Sequence, residues 1–392
     1  MIQSYDLYMP THLIFGKGRI SELKDAVAGA GKKALITYGG GSVKRSGLFT
    51  RVKELLESAG CSVSEFGGIE PNPKITSVRE GVSLCKDEGI DFVVAVGGGS
   101  VLDASKAICC GAMYPGDPWD LVLDASKIKA YLPLFDVITL AATGSEYDRT
   151  GVISNEETKE KLTIWGNFPV TSILDPEYTF TVPANQTAAG ISDILSHTFE
   201  QYIVAEGSMI SDGFCESMLK TVMHFGPIAI KEPNNFEARG EIFAASSFGC
   251  CGLLSLGRSP SPWPCHGIEH EVSAWYDITH GVGLAIITPH WMQWCLDADP
   301  ALVAPKFAQY GVNVFGLNPA DGVEVNAKKA IEKTAAFFRS IGITQTLKDF
   351  GIDDSHFEAM AEHVTTAWVG DYKYAFVPMD KEAVLAVLRA SL

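Results

Sequence analysis

Up to about residue 183 the chain alternates short β-branched, apolar runs with stretches whose apolar positions recur at helical spacing. "KKALITYGGGS" predicts a strand entering a glycine turn, "VKRSGLFTRVKELLESAG" a helix, "DFVVAVGGGS" a buried strand and "VLDASKAICCG" the helix after it. Such alternation implies a parallel sheet with helices on its faces, because parallel neighbours need a crossover and each helix must bury an apolar stripe. "GVISNEETKEKLTIWG" breaks the rhythm: two β-prone arms flank a polar turn at Asn155-Glu156-Glu157, the pattern of a hairpin. Beyond "LDPEYTFTVP" the strand signals fade, and "TAAGISDILSHTFEQYIVA", "EARGEIFAASSFG" and "NAKKAIEKTAAFFRSIG" carry apolar residues at helical spacing. Pro176 and Pro183 stand where the pattern changes. The expectation is an α/β domain over residues 1–182 and an all-helical domain over residues 183–392.

Length agrees with two domains, since 392 residues exceed what one hydrophobic core commonly organises. The net charge of −16, with no run of Lys or Arg, argues against nucleic acid or an anionic membrane as partner. Small molecules and further copies of the chain are the partners to expect. "MIQSYDLYMP" has no basic segment followed by an apolar stretch, and nowhere do about 18 apolar residues run together, so a cytoplasmic protein is expected. The nine cysteines include adjacent pairs at Cys109–Cys110 and Cys250–Cys251 and no CxxC, which favours reduced, buried thiols.

Two glycine clusters follow strands. Gly97-Gly98-Gly99-Ser100 opens a helix containing Asp103 and Lys106; glycines let a backbone approach a phosphate, and the free N–H groups of a helix start can receive it. The spacing is not GxGxxG, and such a turn is also a common structural device. Gly39-Gly40-Gly41-Ser42 follows the first strand. Dinucleotide folds commonly hold the ribose 2′-hydroxyl with an acidic residue near a strand end. Here Lys44 and Arg45 stand close behind and no carboxylate is near in sequence, which favours NADP(H) over NAD(H); the alternative is a flexible turn with a solvated basic helix start.

Three of the nine histidines fall within "PCHGIEHEVSAWYDITHG", residues 264–281. Asp193 and His197 are four apart and share a helix face, opposite Ile191, Leu195 and Phe199; His266 and His270 repeat the spacing, and His280 precedes Gly281 where that helix should have ended. One carboxylate and three imidazoles suit Zn²⁺ or Fe²⁺, although a satisfied core histidine or two accounts for the pattern equally well.

The GGGSxxDxxK turn, "ATGSE" at residues 142–146, and DxxxH followed by HxxxH and a third His in HG resemble the iron-containing, or group III, alcohol dehydrogenase family. Within it the chain is most similar to bacterial butanol dehydrogenases and related NADPH-dependent aldehyde reductases, above all in "HGIEHEVSAWYDITHGVGLAI", and the likeness extends to "FGKGRISEL" and to "PNP" at residues 71–73. The resemblance implies a dinucleotide-binding α/β domain with a parallel sheet, then a helical metal-binding domain, the dehydroquinate synthase-like fold, with the active site in the cleft between them. It makes Asp193, His197, His266 and His280 metal ligands and His270 a further histidine near metal and cofactor. Gly98, Gly99, Ser100 and Asp103 would hold the pyrophosphate and its loop. Thr139, Thr143 and Lys161 would surround the ribose and nicotinamide, and Asn72 with Gly39, Gly40, Gly41 and Ser42 the adenosine side. After TGSE the family usually has small residues or Asn, whereas this chain has Tyr147, Asp148 and Arg149, which would border the nicotinamide or substrate pocket or else lie on the far side of a turn.

The function implied is hydride transfer between NADP(H) and a primary alcohol/aldehyde pair such as butanol/butanal, with Fe²⁺ or Zn²⁺ bound, His270 relaying the hydroxyl proton, and a homodimeric assembly. Glycerol dehydrogenase-like polyol oxidation, dehydroquinate synthase-like internal redox chemistry, and a non-catalytic oligomer-forming or ligand-sensing role are the alternatives on the same fold.

Overall fold

The computed structural model describes residues 2–367 and 370–392. The chain divides into two compact units, residues 8–181, and residues 182–392 together with the N-terminal segment ending at Leu7.

The first unit carries all eight strands found among the described residues: β1 (His12–Phe15), β2 (Lys33–Tyr38), β3 (Ser62–Phe66), β4 (Phe92–Gly97), β5 (Leu134–Ile138), β6 (Thr150–Asn155), β7 (Glu160–Trp165) and β8 (Thr171–Leu174). Six form a sheet in the order β1-β8-β5-β4-β2-β3, every neighbouring pair parallel. β4, "FVVAVG", is buried at each position, as a central parallel strand covered on both faces must be. Ile36, Val94, Val96, Phe135, Val137 and Ile173 meet Val52, Leu55 and Leu56 of the Leu48–Ser58 helix in one apolar cluster. Each such side chain contributes about 1.5–3 kcal/mol by leaving water. The helix expected after the first glycine cluster is broken in two, Ser42–Arg45 and Leu48–Ser58, because Gly47 turns between them at φ +81°.

The hairpin expected from "GVISNEETKEKLTIWG" is β6 and β7, antiparallel from Thr150↔Trp165 to Asn155↔Glu160. Its turn lies at residues 156–159 rather than starting at Asn155, whose side chain instead accepts a hydrogen bond from Glu157 N at 3.1 Å.

The second unit is helical, with no strand among its described residues. Its long helices are Ala184–Tyr202, Met209–Lys231, Phe236–Gly249, Pro264–Tyr276, His280–Ala298, Pro300–Phe315 and Val323–Ser340, followed by Phe357–Ala367 and Lys381–Ala390. From Thr187 to Tyr202 every residue of the Ala184–Tyr202 helix is buried, so the apolar face with Ile191, Leu195 and Phe199 and the face with Asp193 and His197 both point inward. Charged groups placed there must find partners. The N-terminal segment joins this unit: Gln3 N donates to Gly257 O at 3.0 Å and Gln3 Nε2 to Glu206 Oε2 at 3.3 Å. A single boundary at residue 182 makes no provision for that return. None of the nine cysteines is in a disulfide, and eight are buried. No helix among the described residues is long and apolar enough to cross a membrane.

Candidate metal centre and glycine-rich turns

Asp193 and His197 stand one turn apart on the Ala184–Tyr202 helix, and His266 lies in the first turn of the Pro264–Tyr276 helix. That helix stops at Tyr276, Asp277 turns at φ +52°, and His280 is the first residue of a third helix, His280–Ala298. The ligands expected from two helices thus come from three. Asp193 Oδ1 lies 3.4 Å from His197 Nε2, 3.6 Å from His266 Nε2 and 3.6 Å from His280 Nε2. Donor atoms about 2.1 Å from a common ion at tetrahedral angles lie about 3.4 Å apart, so the distances from Asp193 suit a divalent cation. Asp193, His266 and His280 bring donor atoms within 4.8 Å of one another, whereas His197 meets Asp193 but stands outside that group.

Two further observations support that fit. Asp193 Oδ1 and His266 Nε2 are buried with no hydrogen-bond partner, a costly state that a cation between them relieves. The electrostatics have the same sign. Burial opposes the Asp193 charge, but His197, His266 and His280 hold its carboxyl well below the usual range. Burial likewise opposes charge on His266, yet Glu200 and Asp193 push it up to about 9. The pocket is built to hold positive charge.

Sequence reasoning missed the carboxylates behind the imidazoles. Glu200 Oε1 bonds His266 Nδ1, while Glu200 Oε2 accepts from Cys265 N at 2.7 Å. Glu269 Oε2 bonds His280 Nδ1, and Glu269 Oε1 accepts from Ser273 Oγ. A carboxylate on Nδ1 fixes the tautomer that leaves the Nε2 lone pair for a metal. Glu200 was legible in part, since Asp193, His197 and Glu200 follow the i, i+4, i+7 spacing of one helix face. Glu269→Gln is expected to weaken metal binding about 10- to 100-fold while the fold is kept, measured by competition with a chromophoric chelator.

His270 is buried, its ring centroid 5.4 Å from that of His280 and 6.3 Å from that of His266. It groups with Glu269 and His280 rather than with Asp193. Trp263, left-handed at φ +56°, stands edge-on to His197 and His266 with ring centroids 5.9 and 5.4 Å away.

In the first unit the glycine clusters lie at the carboxyl ends of the parallel strands, where open α/β sheets bind ligands. β4 ends at Gly97 and the Gly99–Ala112 helix begins two residues later. A Cβ on Gly97 would lie 2.6 Å from Val101 Cγ2, and one on Gly99 would lie 2.4 Å from Thr143 Oγ1, so packing excludes side chains at both. At Gly98 the nearest atom would be Leu140 Cβ at 3.4 Å, ordinary contact. No internal packing demands glycine there, which leaves backbone open to an approaching anion. Thr139 N donates to Gly97 O at 2.8 Å, and Thr143 Oγ1 accepts from Ser145 N at 3.2 Å.

Asp103 acts on the protein itself. Ser145 Oγ donates to its Oδ1 at 2.7 Å and Val152 N to its Oδ2 at 3.0 Å; burial pushes its acid up to about 6 against Lys106 and these bonds. Both oxygens hold the 145–152 segment, so its part in any pyrophosphate site is to shape the loop. Lys106, fully buried, shares the three protons of its ammonium among four acceptors, Ser145 O, Ser145 Oγ, Asp148 Oδ1 and Thr150 O, at 2.6–2.9 Å. Asp148 therefore faces inward as the partner of Lys106. Arg149 lies over the Trp165 ring at 5.4 Å, and Tyr147 is half-buried.

Gly68 N donates to Gly39 O at 3.2 Å, which joins the first glycine cluster to the 68–73 stretch holding Asn72, buried at φ +50°. Ser154 N donates to Pro73 O at 2.9 Å, and Ser154 pairs with Lys161, itself buried, across the hairpin. Ser42 opens the Ser42–Arg45 helix, and nothing lies within 4 Å of a Cβ on Gly40. One premise of the NADP(H) expectation is corrected: Glu65, on the neighbouring β3, lies 2.9 Å from Lys44, whose ammonium also covers the Tyr38 and Phe49 rings. A carboxylate is near after all, and Arg45 remains as the second basic group of the helix start.

Comparison with known proteins gives the family and the fold. A family model described as iron-containing alcohol dehydrogenase matches residues 10–176, and one described as Fe-containing alcohol dehydrogenase family, C-terminal, matches residues 187–392. The chain is 45% identical over 392 residues to NADH-dependent butanol dehydrogenase A of Clostridium acetobutylicum, covering 99% of each chain. It is 37% identical over 366 residues to the NADPH-dependent aldehyde reductase YqhD of Escherichia coli, covering 92% of each. The crystal structure of NADH-dependent butanol dehydrogenase A from Thermotoga maritima superposes with a TM-score of 0.93 at 34% identity, over 100% of this chain and 99% of that one. The chain belongs to the iron-containing alcohol dehydrogenase family.

Proposed function

We propose that this alcohol dehydrogenase interconverts a primary alcohol and its aldehyde, of the butanol/butanal size, with NADP(H) as preferred nucleotide and Fe²⁺ or Zn²⁺ on Asp193, His197, His266 and His280. The observation that carries it is the meeting of three imidazole Nε2 atoms within 3.4–3.6 Å of one buried carboxylate oxygen. When bound, the cation supplies Lewis-acid polarisation of the substrate oxygen and the nicotinamide supplies or accepts the hydride.

The chain's own residues do the rest. Glu200 and Glu269 accept the Nδ1 protons of His266 and His280 and so keep both Nε2 atoms as donors. His270, beside His280, takes and returns the hydroxyl proton, a task an imidazole performs near neutral pH. Backbone N–H groups of Gly98, Gly99 and Ser100 receive the diphosphate at the start of a 14-residue helix. Thr139, Thr143 and Lys161 serve the nicotinamide side; Asn72 and the Gly39–Ser42 turn serve the adenosine side.

Support for NADP(H) lies in the bare turn, since Gly39, Gly40 and Gly41 present no carboxylate to a 2′-phosphate and Arg45 stands close to Gly41. The relatives include enzymes named for NADH and for NADPH, so the nucleotide must be measured. Gly39→Asp is expected to raise the KM for NADPH about tenfold or more relative to that for NADH, the scale of one like-charge repulsion. Gly39→Ala is the control, because a Cβ there would sit 3.1 Å from Ile69 O. Equal effects on both nucleotides remove the 2′-phosphate assignment. The activity itself is tested by loading the protein separately with Fe²⁺ and Zn²⁺ and following butanal with each nucleotide. One nucleotide oxidised per aldehyde consumed is the expected result; aldehyde turnover without nucleotide consumption overturns it.

A further inference from the structure

A buried acid in the first unit has no task in the chemistry above. Asp136 lies on the central strand β5, fully buried, beside Ser172 of β8 in direct register. Ser172 Oγ is 2.6 Å from Asp136 Oδ2 and 2.7 Å from the backbone oxygen of Glu146, in the segment that carries Thr143 and Ser145. Both are full hydrogen-bond distances for oxygen pairs, yet a serine hydroxyl has one proton and a carbonyl oxygen has none. If Ser172 donates to Glu146 O, the proton between Asp136 and Ser172 must come from Asp136.

The surroundings agree. Asp136 Oδ1 is buried without a hydrogen-bond partner, which an ionised carboxylate tolerates poorly and a neutral acid far better. The charged groups facing it are Glu146, itself buried, and Lys106, whose ammonium is engaged by Ser145, Asp148 and Thr150. Asp103 lies beyond Ser145. Burial, joined by Glu146, raises the Asp136 acid well above the carboxylate range; Lys106 opposes them, as would Ser172 if it donated to the carboxylate.

We propose that Asp136 is a positioning residue held as the neutral carboxylic acid, donating its proton to Ser172 Oγ so that Ser172 donates to Glu146 O and fixes the 143–148 loop. The effect on the nucleotide rests on the reading of Thr139 and Thr143 as the nicotinamide side.

The linkage has a definite sign. An acid whose folded pKa exceeds its unfolded value contributes stability fully present below the unfolded value, and that contribution is lost as pH rises toward the folded one. Asparagine at this position carries its own donor at every pH. Asp136→Asn is therefore expected to stabilise the metal-loaded protein relative to wild type, by an amount that grows with pH from 5 to 7. The ratio of unfolding constants should change about tenfold per pH unit, read from denaturant melts at each pH. A difference that stays constant across that range, whatever its sign, would mean an ionised carboxylate and would overturn the proposal. Repeating the comparison in a Ser172→Ala background supplies a second readout. A hydroxyl that accepts the acid's proton favours the neutral form, so without it the pH at which the difference stops growing should fall, read by extending the melts to pH 9; a plateau that is unmoved or displaced upward overturns the relay. In function, Asp136→Asn should keep the nucleotide KM within about twofold while Ser172→Ala raises it about tenfold, one hydrogen bond's worth. If the pH-dependent stabilisation appears and Ser172→Ala leaves KM unmoved, the neutral acid stands and the nicotinamide-side reading of the loop falls.

Discussion

Replacing His280 with alanine removes bound metal and turnover together. His280 is one of three imidazoles around Asp193, and its loss leaves two nitrogens and one carboxylate oxygen. It also deprives buried Glu269 of the Nδ1 proton it accepts, adding an uncompensated charge beside the weakened ligand set. A fall in kcat/KM of about 10³-fold or more, roughly 4 kcal/mol of transition-state stabilisation, is expected. Metal analysis by atomic emission and an absorbance assay on the same sample check both parts. Full activity in a metal-free His280→Ala protein would refute the centre.

The second large effect comes from a residue with no side chain. A Cβ on Gly281 would lie 2.0 Å from Ala189 O, a backbone atom of the helix that carries Asp193 and His197. No rotamer change can clear that overlap, so the His280–Ala298 helix must move away from the Ala184–Tyr202 helix, and His280 moves with it. Gly281→Ala is expected to cost about 3 kcal/mol, at the upper end for overpacking, and to lower Tm by several degrees. Gly213 provides the contrast: it lies inside the Met209–Lys231 helix with nothing within 4 Å of an added Cβ. Gly213→Ala should be neutral or stabilising by up to about 1 kcal/mol. Paired thermal melts decide, and an unchanged Tm for Gly281→Ala would contradict the close approach.

The two-part architecture was legible because a parallel strand buried on both faces reads as an unbroken apolar run, as "DFVVAV" does, while helices show their period. Which strands become neighbours was not, since β8 inserts between β1 and β5 from far along the chain and no local pattern encodes that pairing. The same limit explains the missed groups at the metal centre. Glu200 and Glu269 look like solvated helix charges until three helices enclose them. Lys44 looks unopposed in sequence, and only the β2–β3 pairing brings Glu65 to it. For Asp148 the sequence leaves open a pocket edge or the far side of a turn, because nothing in one dimension shows the buried Lys106 it pairs with.

The N-terminal strap has a practical meaning for anyone dissecting this enzyme. Because residues 2–7 pack with the helices although the sheet follows them in sequence, the polypeptide passes between the units twice, and no single cut frees either one whole. A helical fragment started at Val182 would leave Gly257 O without its Gln3 donor and Ile2 absent from its seat beside Gly257. An autonomous version needs that short peptide restored, by circular permutation or by supplying it in trans.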